Sequence, residues 1–229
     1  MENAFRDRAD AGRVLAERLE TFRSSDPVVV GIAPGGVPLA YEIARSLGAP
    51  LEAWAVRQLH AANAEETHVG AIAEDHPHHF SLGLAGNGSH HGIHALADAE
   101  RDALIHAAEH LRTHARTSMR NRTVLLVDDG LATGATVRAA VHAIRQEKPH
   151  RVIVAVPVVV RGGLPNVDRW VDDIVWIREC ETLPEIGAAY ARFEKVEDAV
   201  AAELLERRRH EVAARPASAP PAWRSGTRG

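Results

Sequence analysis

Apolar and polar positions alternate along this chain with a period that switches repeatedly between helix and strand. In "AFRDRADAGRVLAERLETF" Phe5, Ala9, Leu15, Leu19 and Phe22 recur near helical spacing and predict an amphipathic first helix. The apolar run "VVVGIA" (28–33) ends in a Pro/Gly turn and predicts a buried strand. "VPLAYEIARSLG" predicts a helix closed by Gly48, and "LEAWAVR" a second strand. Between 58 and 95 the pattern thins. Only "VGAIA" (69–73) reads as a strand there, and much of the segment is expected to be mobile. A helix is predicted over 95–116, then the strand "RTVLLV" and the helix "ATVRAAVHAIRQEK", whose Val137, Ala140, Val141 and Ile144 share one stripe. "RVIVAVPVV" and "DIVWI" predict further strands, and residues 196–211 a last helix. The Pro-, Ser- and Gly-rich tail 213–229 has little to bury and is expected to be disordered. Strands alternating with helices imply an α/β fold, with a mostly parallel sheet covered on both faces. One domain over residues 1–212 accounts for the pattern.

Composition narrows the functions. The chain has 229 residues, 45% hydrophobic and 25% charged, as in ordinary globular proteins. A net charge of -4 gives no broad basic face, so nucleic acid is not an expected partner. The one cysteine, Cys180, allows no internal disulfide and reads as a small buried hydrophobe in a reducing compartment. The charged start "MENAFRDRAD" lacks an apolar signal region, and no run approaches a membrane span, so a cytoplasmic location without membrane attachment is expected.

The stretch "VLLVDDGLATGAT" (124–136) carries the chemistry. A strand delivers Asp128 and Asp129 to its C-terminal end, where open α/β sheets bind ligands. The turn "LATGAT" then opens a helix, whose first N–H groups and macrodipole favour an anion. Gly134 permits close approach or positive φ, and Thr133 and Thr136 add hydroxyl donors. The glycine spacing is not that of a Walker loop, and no lysine follows. Two carboxylates beside a phosphate cradle would repel the anion unless they faced something else. A sugar diol fits, because carboxylates accept hydrogen bonds from vicinal hydroxyls. Together these features describe a ribose 5-phosphate site. The plain alternative is that Asp129 caps a turn and Asp128 is solvated.

These thirteen residues resemble the phosphoribosyl diphosphate signature of the type I phosphoribosyltransferases. The order "FRDRADAGRVLAERL", "GGVPLAYEIARSLGAPL", "VGAIA" and "VDDGLATGAT" is similar to a bacterial branch of that family, from about Phe5 to about Val196. The resemblance implies a mostly parallel sheet flanked by helices, with a small hood and a flexible loop. It also implies that Asp128 and Asp129 hold the ribose hydroxyls, while Ala132, Thr133, Gly134, Ala135 and Thr136 hold the 5-phosphate. Ala33, Pro34, Gly35, Gly36 and Arg57 would form the diphosphate side. Mg²⁺ would ride on the substrate's diphosphate, with no direct protein ligand. The family chemistry is displacement of diphosphate at the anomeric carbon, in which the protein positions the parts and stabilises leaving charge.

Three departures stand against that pattern. The first loop reads "GIAPGGVP" where the branch has Pro-Arg-Gly-Gly, so Pro34 replaces a cation and removes an N–H. By alignment the Ala33–Pro34 bond takes the place of a cis peptide common in the family, and proline makes cis accessible. Gln58 stands where the branch has a lysine after Arg57. Ala132 stands where 6-oxopurine enzymes carry an acidic residue, which argues against a hypoxanthine or guanine activity. A charge-assisted hydrogen bond contributes about 1.5–3 kcal/mol, so two lost cations would weaken diphosphate binding by orders of magnitude. Arg161 and Arg178, after later strands, are candidates to compensate; exposed surface positions are their plainer reading.

Most of the 14 histidines lie between 60 and 94, in runs such as "HPHH" and "HHGIH". These lack the spacing of structural zinc sites and have no cysteine beside them. His106, His110 and His114 recur every four residues and would share a helix face. A polar surface is the plain reading of both groups; metal binding and a pH-sensitive loop are the others. Tyr190 and Phe193 match a Tyr-x-x-Phe pattern of the branch and belong either to the core or to the hood. The leading expectation is an enzyme transferring phosphoribosyl to or from a small acceptor. The competing one is a non-catalytic nucleotide or phosphoribosyl diphosphate sensor with a degenerate diphosphate loop. A small phosphoribosyl compound is the expected partner, and assembly into a homo-oligomer is left open.

Overall fold

In the computed structural model the chain builds a seven-stranded sheet with helices against both faces; residues 4–61, 64–82, 90–112, 114–182 and 185–214 are described. The strands are β1 (Pro27–Ala33), β2 (Leu51–Ala61), β3 (Ala64–Ala73), β4 (His76–Leu82), β5 (Thr123–Val127), β6 (Arg151–Val160) and β7 (Asp173–Cys180). Their order is β4-β3-β2-β1-β5-β6-β7. The run from β2 to β7 is parallel, and β3 and β4 add an antiparallel edge. The main helices are α1 (Arg8–Arg18), α2 (Val37–Leu47), α3 (His90–Leu111), α4 (Ala135–Gln146) and α5 (Asp198–Ala213).

The continuous apolar runs of β1, β5 and β6 follow from burial on both faces. Val28, Val30, Val124, Leu126, Val152 and Val154 pack under α4. The alternate residues Val29, Leu125, Val127 and Ile153 pack under α1 and α2. A third cluster joins α3 to β2 and α5 through Leu104, Leu59 and Ala201. The chain therefore leaves β1 through α2 on one face, and leaves its neighbour β5 through α4 on the other. Adjacent strands whose connections part in this way open a crevice at their C-terminal ends.

The sequence pattern and the structure differ in three places. The first helix stops at Arg18 and gives way to a 3-10 turn, Glu20–Ser25. There Ser25 Oγ donates to the Phe22 carbonyl at 2.7 Å, a local bond that competes with helix continuation. Second, β2, β3 and β4 run through the segment in which only 69–73 showed a strand pattern. Ladder pairing, such as Val56 with Ala73, holds these strands; their side chains carry little β-propensity to reveal it. Mobility of 58–95 is a separate property and stays a proposal, and residues 83–89 lie outside the described residues. Third, α3 begins at His90 and ends at Leu111, where Arg112 and Arg116 pair with Glu74 and Asp75. Most of the expected tail, residues 215–229, lies outside the described residues.

Candidate active site

The C-terminal ends of β1 and β5 open into a cleft of about 690 Å³. Every site residue expected from the sequence lines it except Gly36. Gly36 lies beneath, where a β-carbon would come 2.5 Å from the Val127 carbonyl oxygen; glycine lets the β1 turn lie against the end of β5.

The β5–α4 turn has the form of an anion cradle. Gly134 precedes α4 with φ 80°, a left-handed conformation that disfavours a β-carbon. The Thr136 and Val137 N–H groups have no acceptor among the described residues, and the first later amide, that of Arg138, bonds the Gly134 carbonyl at 2.9 Å. The Thr133 hydroxyl accepts from the Ala135 N–H at 3.4 Å. Behind the turn, Asn166 Nδ2 donates to the Thr133 carbonyl at 3.1 Å, and Val167 fills the space beside Gly134. Exposed donors at a helix N-terminus favour an anion.

The two carboxylates are held differently. Asp128 Oδ1 accepts the Asp129 N–H at 3.0 Å. Asp129 Oδ2 accepts from Arg8 Nε at 3.0 Å and Arg8 Nη2 at 2.8 Å. Asp128 Oδ2 and Asp129 Oδ1 accept nothing among the described residues, so each carboxylate keeps one oxygen for a ligand. Burial, and then the charge of Asp129, push Asp128 well above the usual aspartate range. Burial also raises Asp129, with Arg8 opposing the rise. The Tyr190 hydroxyl is raised by burial and by Asp129; it remains a donor and bonds the Asp129 carbonyl at 2.6 Å.

A carboxyl raised in the folded state binds protons more tightly there than in the unfolded chain. Its contribution to stability falls as pH rises above the ordinary value of 3.8. Asp128 therefore weakens the unliganded fold at neutral pH. Asp128→Asn, which keeps the acceptor for the Asp129 N–H, is expected to unfold about 2–4 °C higher, the shift that about 1 kcal/mol gives in a domain of this size. Calorimetric scans at neutral pH check this, and a lower midpoint in the variant would contradict it.

On the opposite wall the Ala33–Pro34 bond is cis, as expected. A β-carbon at Gly35 would lie 2.7 Å from Asp129 Oδ2, so the β1 turn and the carboxylate pair touch. Arg57 lines the cleft and donates to the Ala103 carbonyl at 3.5 Å, and its Nε is buried without a partner among the described residues. Gln58 Nε2 donates to Thr136 Oγ1 at 3.2 Å, which ties the position of the missing lysine to the anion turn. Neither Arg161 nor Arg178 reaches the cleft. Arg161 pairs with Glu179 and Glu181 at the surface.

Among the described residues no group of three or more metal-ligating side chains is assembled. The expected stripe of His106, His110 and His114 is broken, because α3 ends before His114, which pairs with Glu206 at 2.5 Å. Sequence reasoning missed Arg8, Asn166 and Gln58 as supports of the site, and the Tyr190 bond to Asp129.

Known proteins resemble this chain in sequence and in fold. Residues 5–185 match the model of the phosphoribosyl transferase domain family. A protein found in two Mycobacterium tuberculosis strains, under a provisional phosphoribosyl transferase name, is 34% identical over 213 residues, or 91% of this chain. The chain spans about half the length of these relatives, 48%. A crystal structure of a Thermus thermophilus protein is 36% identical and superposes with a TM-score of 0.71, covering 88% of this chain and 98% of the other.

Proposed function

The chain belongs to the phosphoribosyl transferase family, and from that premise we propose that it binds phosphoribosyl diphosphate or a related ribose 5-phosphate compound and transfers the phosphoribosyl group to or from a small acceptor. The observation that carries this reading is the meeting of two ligand-ready features in one cleft. Unpaired N–H groups of the α4 first turn lie beside two carboxylates that each keep an open oxygen.

In this reading Thr133–Thr136 hold the 5-phosphate, with donors aimed by the helix N-terminus. Asp128 and Asp129 accept the ribose hydroxyls and, as nearby negative charges, favour positive charge developing at the anomeric carbon. The bond from that carbon to the leaving oxygen breaks as the bond to the acceptor forms, and the electron pair leaves with the diphosphate. Ala33, Pro34, Gly35 and Arg57 face the leaving group, with Gly36 beneath them. Mg²⁺ riding on the substrate's diphosphate would neutralise charge there, in a cleft whose nearby carboxylates tolerate a cation, and no direct protein ligand is assigned. With no cation at Pro34 or Gln58, Arg57 is the arginine among the described residues that lines this wall, and Arg8 beside Gly35 is taken up by Asp129, so diphosphate is expected to add less affinity than in a fully basic loop.

Calorimetric titration with phosphoribosyl diphosphate and Mg²⁺, beside ribose 5-phosphate and AMP, tests the proposal. Binding of all three through the same cleft is expected, with a gain of about tenfold or less from the diphosphate. Failure of every compound to bind would overturn the reading. Binding without transfer to any base or small acceptor would favour the sensor alternative.

A further inference from the structure

Asp129 is gripped from two remote segments of the chain. Its carboxylate receives Arg8, the first residue of α1, and its carbonyl receives the Tyr190 hydroxyl. The guanidinium of Arg8 is itself anchored. Nη1 donates to the Glu194 carbonyl at 2.6 Å, and the carbon at its centre lies 3.7 Å from the Phe193 ring centroid. Phe193 stacks on Tyr190 at 4.9 Å, and Tyr190 on Phe5 at 5.7 Å. Phe5 also bridges Tyr190 through the backbone. Arg8 and Asp129 keep side-chain exposures of only 12% and 17%.

We propose that Arg8 is a positioning residue for the ribose carboxylates: held between Phe193 and the Glu194 carbonyl, it engages Asp129 Oδ2 and leaves Oδ1 to the ligand. This rests on reading Asp128 and Asp129 as diol acceptors. Two guanidinium nitrogens converge on one oxygen, which fixes the rotation of the carboxylate as well as its charge. The aromatic stack and the carbonyl bond hold the guanidinium independently of Asp129. The cation is therefore preorganised, unlike a flexible surface arginine.

The charged and titratable groups facing Asp129 are Arg8 from α1, Asp128 at the end of β5 and the Tyr190 hydroxyl. Among the described residues Arg8 is the one cation of that set. Without it two desolvated carboxylates stand side by side, and such a pair retains a proton to higher pH. Tyr190 and Phe193, which sequence alone left between core and hood, thus act together on one side chain.

Two measurements test the assignment. Carboxyl ¹³C titration of the ligand-free protein should show the Asp128–Asp129 midpoints rising by about one unit or more in Arg8→Gln, each unit being about a factor of ten in protonation. Arg8→Lys should recover most of that shift, and Phe193→Leu should show a smaller shift of the same sign. Ribose 5-phosphate affinity across the acid-to-neutral range should then weaken about tenfold in Arg8→Gln, with its acid limb displaced upward, and should recover in part in Arg8→Lys. Unchanged carboxyl midpoints in a natively folded Arg8→Gln would overturn the proposal. So would tighter ribose 5-phosphate binding, which would make Arg8 a competitor of the sugar. Should Arg8→Gln fail to fold, Arg8→Lys and Phe193→Leu decide by the same carboxyl readout. A shifted midpoint in a protein that binds no ribose 5-phosphate would sink the substrate reading and with it the ribose role of Arg8, whereas an unshifted midpoint in a protein that binds it would sink the Arg8 proposal alone.

Discussion

Gly134→Val is expected to weaken ribose 5-phosphate binding by roughly 30- to 4000-fold. The backbone there has φ 80°, and a β-carbon would sit 2.6 Å from Val167 Cγ2. Left-handed φ costs an L-residue about 1–2 kcal/mol, and forcing volume into a packed site about 1–3 kcal/mol more. Relief comes most easily by rotating the turn, and that rotation turns the Thr136 and Val137 N–H groups off the anion. At about 1.4 kcal/mol per tenfold, the sum gives the stated range. Gly134→Asn is the informative control, since asparagine tolerates this backbone region. Isothermal titration beside thermal unfolding separates a bent turn from a failing fold. Native affinity in a folded Gly134→Val protein would mean that the turn does not hold the phosphate.

Asp129→Ala should damage affinity and stability together. Loss of a charged acceptor removes about 1.5–3 kcal/mol of ligand binding, roughly 10- to 150-fold. The same change strands Arg8 beneath Phe193. Breaking a buried ion pair costs about 3 kcal/mol at the low end, fitting here because both partners keep some water contact. In a domain of this size that is a fall of about 6–12 °C in the unfolding midpoint. The neighbouring substitution Asp128→Asn is expected to move the midpoint the other way. The sign differs because Asp129→Ala leaves Arg8 without its ion-pair partner, a loss that outweighs relief of the buried carboxyl, whereas Asp128→Asn keeps its acceptor and removes a buried charge beside another carboxylate. If both variants shift the midpoint in the same direction, this account of the pair is wrong.

What the sequence revealed was local. Residues 124–136 announce strand, carboxylates, turn and helix within one continuous stretch, because the turn proposed to hold the phosphate is made by neighbouring residues. The unit from β1 through α2 was legible for the same reason, down to Gly48 at its end with φ 72°. Hidden parts depend on distant contacts. Arg8 reaches Asp129 across 121 residues, Tyr190 reaches it across 61, and Asn166 reaches Thr133 across 33. No periodicity encodes such pairings. The antiparallel edge was hidden for another reason: its ladder is made of backbone groups, and Ala, His and Glu side chains give no alternation to read.

The clamp on Asp129 also imposes an order of events when the chain is made. Arg8 leaves the ribosome well ahead of Glu194, which anchors it and emerges 186 residues later. At about 5–20 residues per second that interval is on the order of 10–40 s. The β5–α4 turn and α4 can form from contiguous chain before Glu194 emerges. Asp129 acquires its fixed counterion only once Arg8 and the segment from Tyr190 to Glu194 have met, so nascent chains hold the turn proposed for the phosphate before they hold the carboxylate pair proposed for the sugar.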